Sequence, residues 1–466
     1  MKKFAQLGSS MVLVALVSTG CRTYREQAGR MTSNWDYGRP AAAAAEFGKK
    51  ADDARKADAV VWHLEAGAAY RAAGSYGESN RHFDEAAHRM DQYEEEAKVK
   101  AGHETAAIFS NQENLPYEGK PYDKIMLHTY EALNYLTLAD PERARPELIR
   151  AYQCQQDAVA DNAKRIARAK SAEDSAKDKE AIERAKADPT FNSAIANATK
   201  GTENFKYYAD YVNPFTVYLD GLFYMYQGAG GADLEHAHKS LERVIEVEGQ
   251  NKFVQQDLAQ VNAMIGGQAP APCTYVIFET GEAPSRGQVR IDVPIIFSDV
   301  SYVGAAFPIL IIHDEEPRYL TVSGAGVQET AEPLANMDAI VALDFKNEYP
   351  SIITKTLIST VAKGAAGWAI NQAASQQDAI GGLIARLGTA VAQASVNIAD
   401  TRSWTTLPKD FEVARINTPA DRRLTLSAPG APPAEVMVQP GTVNVVYVRC
   451  VRIGTPLLVS QFKLRN

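Results

Sequence analysis

The sequence predicts a multidomain α+β chain: an all-α helical array, then a β-rich domain with a helical hairpin insert. Three observations predict it. Residues 40–265 are rich in Ala, Glu, Lys and Tyr and poor in β-branched runs, a composition that favours helices. Residues 266–272, Gly-Gly-Gln-Ala-Pro-Ala-Pro, are the punctuation of a linker. Residues 273–466 change to short alternating or apolar β-branched segments set off by Pro and Gly. At 466 residues the chain is long enough for two or three such units.

Residues 1–20 read as an export signal. Lys2 and Lys3 precede the apolar run Met11–Val17, which is far short of the roughly 20 residues needed to span a bilayer. Val17-Ser18-Thr19-Gly20-Cys21 resembles the lipobox of bacterial lipoproteins, departing at Ser18, where Leu or Val is usual. The resemblance implies cleavage after Gly20, diacylglycerol on Cys21 and acylation of the new terminus, so that the chain meets a lipid bilayer through Cys21. Arg22 rather than Asp follows, which by the same resemblance implies the outer membrane, with the protein facing the periplasm. Residues 21–39 lack a helical period and read as a tether. The net charge of −8 becomes −10 without residues 1–20, which hold two lysines and no acid. That balance argues against nucleic acid as a partner and against electrostatic adhesion to anionic lipid.

In the helical region, Gly67, Tyr70, Gly74, Tyr76, Phe83 and Ala86 resemble a tetratricopeptide repeat, in which a small residue admits a bulky one from the next helix. The match departs at Ser79 and Asp91. A second copy places Ala132 and Tyr135 before the turn Ala139-Asp140-Pro141, followed by Ala144, Leu148 and Ala151. A third has Gly221, Tyr224 and Gly228, then Ala237, Leu241 and Val244. Uneven spacing between the copies makes the expected array irregular. Residues 155–188 alternate charge with few large apolar side chains. They read as a projecting solvated helix or hairpin, either a plain solvated face or a partner-binding arm.

Strands are expected at Cys273–Glu279, Val289–Phe297, Ala305–Ile312, Arg318–Ser323, Phe411–Ile416, Arg422–Leu426, Val443–Val451 and Leu457–Phe462. A helical insert is expected over about 334–399. Its Gly/Ala-rich stretch is interrupted by Lys355, Lys363, Asp378 and Arg386, which favours a packed soluble hairpin over a membrane span. Cys154 lies on a helix with no obvious partner. Cys273 and Cys450 sit at or in strands of one region, and either a disulfide or two reduced buried thiols fits them.

No catalytic, metal or cofactor constellation stands out. Gly-x-Ser-x-Gly, P-loop, His-Glu-x-x-His and Cys-x-x-Cys patterns are missing. His82, Glu85 and His88 only loosely share a helix face, and His236 and His238 diverge. In the segment Asp400-Thr401-Arg402-Ser403-Trp404, Asp400 and Arg402 are expected to pair and Trp404 to plug the core. The lipobox, the stretch from Tyr117 to Tyr135 and this Asp-Thr-Arg-Ser-Trp segment occur in the same order in a family of uncharacterised proteobacterial lipoproteins, which the whole chain resembles. Members are often encoded near outer-membrane lipoproteins that activate penicillin-binding proteins.

The expected function is therefore a lipid-anchored, non-enzymatic scaffold that binds protein or peptide partners in cell-envelope or peptidoglycan assembly. A cell-wall enzyme whose site forms only on folding, or a structural subunit of an outer-membrane or export machine, are the alternatives.

Overall fold

The computed structural model describes residues 24–99, 115–176, 178–208, 211–297, 300–375 and 398–466. Gly20 and Cys21, the expected cleavage and lipidation positions, lie outside the described residues, as does the expected second arm of the helical insert.

The region expected as a tether is instead packed structure from Tyr24 onward. Helix α1 (Tyr24–Met31) and helix α2 (Ser33–Asp36) bury Tyr24, Ala28 and Trp35. The Tyr24 ring lies 4.8 Å from that of Trp62. Three apolar contacts spread over thirteen residues were too few to register as a helical period, yet two large aromatic rings hold the segment in place.

Among the described residues ten helices follow: α3 (Pro40–Asp52), α4 (Ala59–Ala72), α5 (Tyr76–Val99), α6 (Pro121–Thr137), α7 (Pro141–Asp174), α8 (Lys179–Ala187), α9 (Pro189–Thr199), α10 (Pro214–Gln227), α11 (Gly231–Glu248) and α12 (Lys252–Ile265). Their starts follow from the sequence. Proline opens α3, α6, α7, α9 and α10, where its missing N–H is no loss. Asp140, Asp188, Asn213 and Asn251 cap α7, α9, α10 and α12 by accepting first-turn N–H groups. Consecutive helices pack as hairpins, α3 on α4, α4 on α5, α6 on α7 and α10 on α11.

The C-terminal region contributes β1 (Cys273–Thr280), β2 (Ser285–Phe297), β3 (Val300–Ile311), β4 (Thr321–Gly324), β5 (Val327–Thr330), β6 (Glu332–Asn336), α13 (Met337–Ser375), β7 (Asp410–Ile416), β8 (Arg423–Ser427), β9 (Ala434–Met437), β10 (Val443–Cys450) and β11 (Leu458–Arg465). Strands β11-β10-β1-β7-β6 form a mixed five-stranded sheet in which β1 and β10 run parallel. Strands β5-β4-β8-β9 form a second sheet, and β2-β3 a long hairpin. Leu334 and Ala335, expected in the helical insert, belong to β6, and the helix starts at Met337.

Strands β1 and β10 are buried at every residue, as strands covered on both faces must be. One face carries Tyr275, Glu279, Phe411 and Tyr447 against the helices; Phe411 stacks on Phe215 of α10 with centroids 4.0 Å apart. The alternate residues Val276, Phe278, Val446 and Val448 share a core with Val322, Leu424, Leu426 and Val436 of the four-stranded sheet. Residues 266–272 therefore connect α12 to β1 across one continuous hydrophobic core.

A second core lies apart from the first. Ile182, Ala185 and Phe191 of α8 and α9 pack with Ile291, Val293 and Phe307 of the β2-β3 hairpin and with Leu357, Ile358 and Val361 of α13. The segment 155–188, expected to project as a solvated helix or hairpin, is instead packed along one face: Gln155, Ala158 and Ala169 are buried, Arg165 bonds Asp344 of α13, and Ile182 and Ala185 lie in this second core. No helix among the described residues is long and apolar enough to cross a membrane.

The register excludes the disulfide between Cys273 and Cys450. In the parallel pair, Cys273 lies opposite Val443 and Cys450 opposite Thr280, at opposite ends of the ladder. Seven residues of strand separate them by roughly 23 Å, at about 3.3 Å per residue, against a few ångströms for a bridge. Both thiols are free and buried.

Candidate functional site

The expected repeat positions meet in the core. A Cβ on Gly67 would lie 2.4 Å from the Phe83 ring, so only glycine admits Phe83 at that height. Ser79, the departure from the repeat pattern, is buried; its hydroxyl donates to the Gly67 carbonyl at 2.7 Å and accepts from Asn134 Nδ2 at 2.8 Å. Ala86 and Ala132 are fully buried. Tyr70 stacks on His82, and Tyr135 lies under the Arg143 guanidinium, 4.8 Å away. A Cβ on Gly221 would meet Leu241 at 3.3 Å, and Tyr224 sits between Arg145 and His236. These residues position helices.

The segment 398–409 joins the two regions. Arg402 is buried and pairs twice with Asp400, Nε to Oδ1 and Nη2 to Oδ2, each at 2.8 Å. Its Nη1 also donates to the carbonyls of Ala57 and Leu115. Trp404 plugs the core between Phe83 and Tyr130. Beside it, the buried carboxylate of Glu65 accepts from Thr405 N, Thr406 N and Tyr24 Oη. A fully hydrogen-bonded polar network of this kind rigidifies the contact it spans. The expected pairing of Asp400 with Arg402 is present and serves the seam.

The histidines separate into distinct settings. His82 faces inward against His63, and Glu85 pairs with Arg89, so the loose His82-Glu85-His88 face does not assemble. The Arg81 guanidinium donates to His82 Nε2 at 2.8 Å; His82 Nδ1 therefore carries the proton and donates to His63 Nδ1 at 2.9 Å. Burial holds both imidazoles neutral, His63 at about 3 and His82 at about 4. His236 bonds Asp220, and His238 pairs with Glu242.

A further cluster escaped the sequence reading. His128 Nδ1 lies 3.1 Å from Glu131 on the same helix and 2.8 Å from Glu147 on α7. The signal was present as His128-x-x-Glu131 at helical i,i+3 spacing; Glu147 comes from the neighbouring helix, a contact only the fold supplies. Burial opposes charge on His128, but bonds to both carboxylates raise it to about 9. Burial raises Glu131 to about 8, while the bond to His128 holds Glu147 below its usual range. The three ligand-type atoms lie within 4.8 Å of one another, a donor set of the kind divalent ions accept. Arg150 also donates to Glu147 at 2.6 Å. Ion pairing with a protonated His128 thus accounts for the arrangement.

His128 opens onto a cleft of about 800 Å³ between α5, α6 and α7. Its walls set Asp91, Glu94, Asp157 and Asp161 against Lys124, Lys164, Arg165 and Arg168. On the opposite flank of α7, Ile149, Tyr152, Val159 and Ile166 are 43–55 % exposed. Their spacing of three, seven and seven residues lines them along one edge of the helix. The helix thus shows water a charged face and an apolar stripe.

No family model matches the chain, no curated protein matches it, and no solved structure matches it.

Proposed function

We propose that this chain is a non-enzymatic scaffold of the bacterial envelope. It is held on the periplasmic face of the outer membrane by lipid on Cys21 and binds protein or peptide partners in envelope or peptidoglycan assembly. The observation that carries the reading is the apolar stripe on α7. Ile149, Tyr152, Val159 and Ile166 lie along one edge of a 34-residue helix with about half of each side chain in water. Aligned exposed apolar side chains mark interaction surfaces. Spacing near 3.5 residues suits a partner helix whose own apolar seam packs knobs into these holes. The mixed charges of the cleft on the other flank supply orientation more than affinity. Support for the anchor comes from the lipobox resemblance at Val17–Cys21, and for repeat kinship of the array from the close approach of Phe83 to Gly67.

The test is a photo-crosslinking residue in place of Tyr152 in intact cells. A defined envelope protein or peptide adduct is expected, lost in a variant carrying Val159→Glu and Ile166→Glu that keeps its far-UV circular dichroism. No adduct, or an adduct indifferent to those charges, overturns the scaffold. A Cys21→Ser variant is expected to leave the membrane fraction; if it stays there and is processed normally, the lipid anchor is wrong.

A further inference from the structure

A pocket of about 320 Å³ opens at the seam between the helices and the five-stranded sheet, well apart from the α7 stripe. Trp35, Tyr130 and Tyr447 supply aromatic walls, and Arg71, Arg449 and Glu279 the charged groups. Arg71 is buried, lies 4.6 Å from the Tyr447 ring centre, and donates Nη1 to Asn134 at 2.9 Å. Arg449 is buried beside Trp35, 5.5 Å from its ring centre. Among the described residues, none of Arg449 Nη2, Trp35 Nε1 and Tyr447 Oη has a hydrogen-bond partner. All three residues line the same pocket, with these atoms themselves buried in its wall.

A guanidinium taken out of water is costly unless an anion or several acceptors meet it. Here two guanidinium groups face one carboxyl group, Glu279, and that group accepts from Tyr130 Oη at 2.6 Å. The pocket is short of one negative charge and of hydrogen-bond partners for three buried polar atoms. A carboxylate supplies both, since its two oxygens match the donor fork of an arginine. A dianionic phosphate would overshoot the charge. The volume lies at the lower end of the range for small-ligand sites, about 300–1,000 Å³, which limits the occupant to something near the size of one amino acid.

We propose that the pocket binds a small carboxylate, carried by a free acid or by the last residue of a peptide. The carboxylate takes hydrogen bonds from Arg449 and Trp35 as their side chains turn toward it, and its apolar body lies against Tyr130 and Tyr447. The inference does not depend on the scaffold reading, because it concerns a different surface.

Calorimetric titration of the whole protein tests it, with benzoate, the tripeptide Ala-Ala-Phe, the same peptide amidated at its C-terminus, and inorganic phosphate. At least one acid is expected to bind, and amidation to weaken the peptide by about tenfold or more, the loss expected when a charged hydrogen bond goes unmade. Benzoate binding as well as the peptide identifies a free acid as the natural source; peptide binding alone identifies a chain terminus. Arg449→Gln is expected to lose a similar factor. Ala73→Phe, which narrows the mouth without touching either arginine, is expected to lose binding with the fold intact, and it decides the matter if the arginine variant does not fold. Amide bound as tightly as acid, phosphate bound in preference, full affinity in a folded Arg449→Gln or in Ala73→Phe, or no binding of either acid at millimolar concentration overturns the proposal.

Discussion

Glu65 of α4 accepts hydrogen bonds from Thr405, 340 residues further along the chain, through both its backbone N–H and its hydroxyl, each at 2.7 Å. The first helical hairpin and the segment leading into β7 are thus joined through one buried carboxylate. Burial alone would push Glu65 toward the neutral form, and the hydrogen bonds from Thr405 and Thr406 oppose that push.

Glu65→Gln tests the joint. The amide keeps the shape but loses the charge and turns one acceptor into a donor facing donors. Buried donors to a charged group then go unmet, each worth about 1–3 kcal/mol, so a loss of about 3 kcal/mol is expected. Urea unfolding at neutral pH measures it. A change under about 0.5 kcal/mol would mean the seam does not depend on this residue.

Gly67→Ala tests the helix approach. The added methyl would overlap Phe83, which is itself wedged against Trp404 and Tyr130. Overpacking a filled core costs about 1–3 kcal/mol. Gly74→Ala is the contrasting case: nothing crowds a Cβ there, but φ is +77°, so the cost is conformational and about 1 kcal/mol. Chemical denaturation of the two variants in parallel separates crowding from backbone strain.

The buried histidines pull stability in opposite directions on the two sides of pH 6.5. Below it, His63 and His82, held neutral in the fold down to about 3 and 4, take up protons more readily when unfolded. Their contribution is therefore lost as pH falls from 6.5 toward those values. Above it, His128, raised to about 9, contributes stability that is full below 6.5 and gone once pH passes 9. Glu131, raised to about 8, contributes stability that is full below about 4.5 and gone once pH passes 8, because the unfolded chain releases its proton near 4.5 while the fold retains it. Thermal melts from pH 4 to pH 10 check both limbs. His128→Gln is expected to flatten the alkaline limb and His82→Gln the acid one.

The cysteines give a chemical check. Cys154, Cys273 and Cys450 are free, so all three are expected to alkylate on unfolding without reductant. In the native state burial raises each thiol, Cys154 to about 11, and labelling is expected to be slow. Mass spectrometry of the labelled peptides reads both. A reductant-dependent mass for the peptides of Cys273 and Cys450 would contradict the parallel register.

Local signals were readable wherever a residue acts through its neighbours in sequence. The turn Ala139-Asp140-Pro141 marked the start of α7, and eight strands lie close to where alternation put them. The pairing of Asp400 with Arg402 was readable because two residues separate the groups. What was hidden depends on distant partners. Tyr24 looked like part of a tether because its contacts, Trp62 and Glu65, lie some forty residues away. Glu147 completes the His128 cluster only once α7 folds back on α6. Strands β5, β6 and β9 are short and partly exposed, with too few apolar residues to set a period. Of the two states open to Cys273 and Cys450, the strand register leaves the reduced thiols, and composition does not encode register.

The burial of Tyr24 bears on how the protein sits at a membrane. With lipid on Cys21, as proposed, the anchored residue is three positions from a side chain locked in the core. That length spans at most about 10 Å, since an extended chain covers about 3.3–3.6 Å per residue. Such a connection is a pivot rather than a leash. It confines tumbling to a narrow cone and keeps the body against the headgroups. The height at which a partner can be met is then set by the body itself, above all by the 34 residues of α7, about 51 Å of helix.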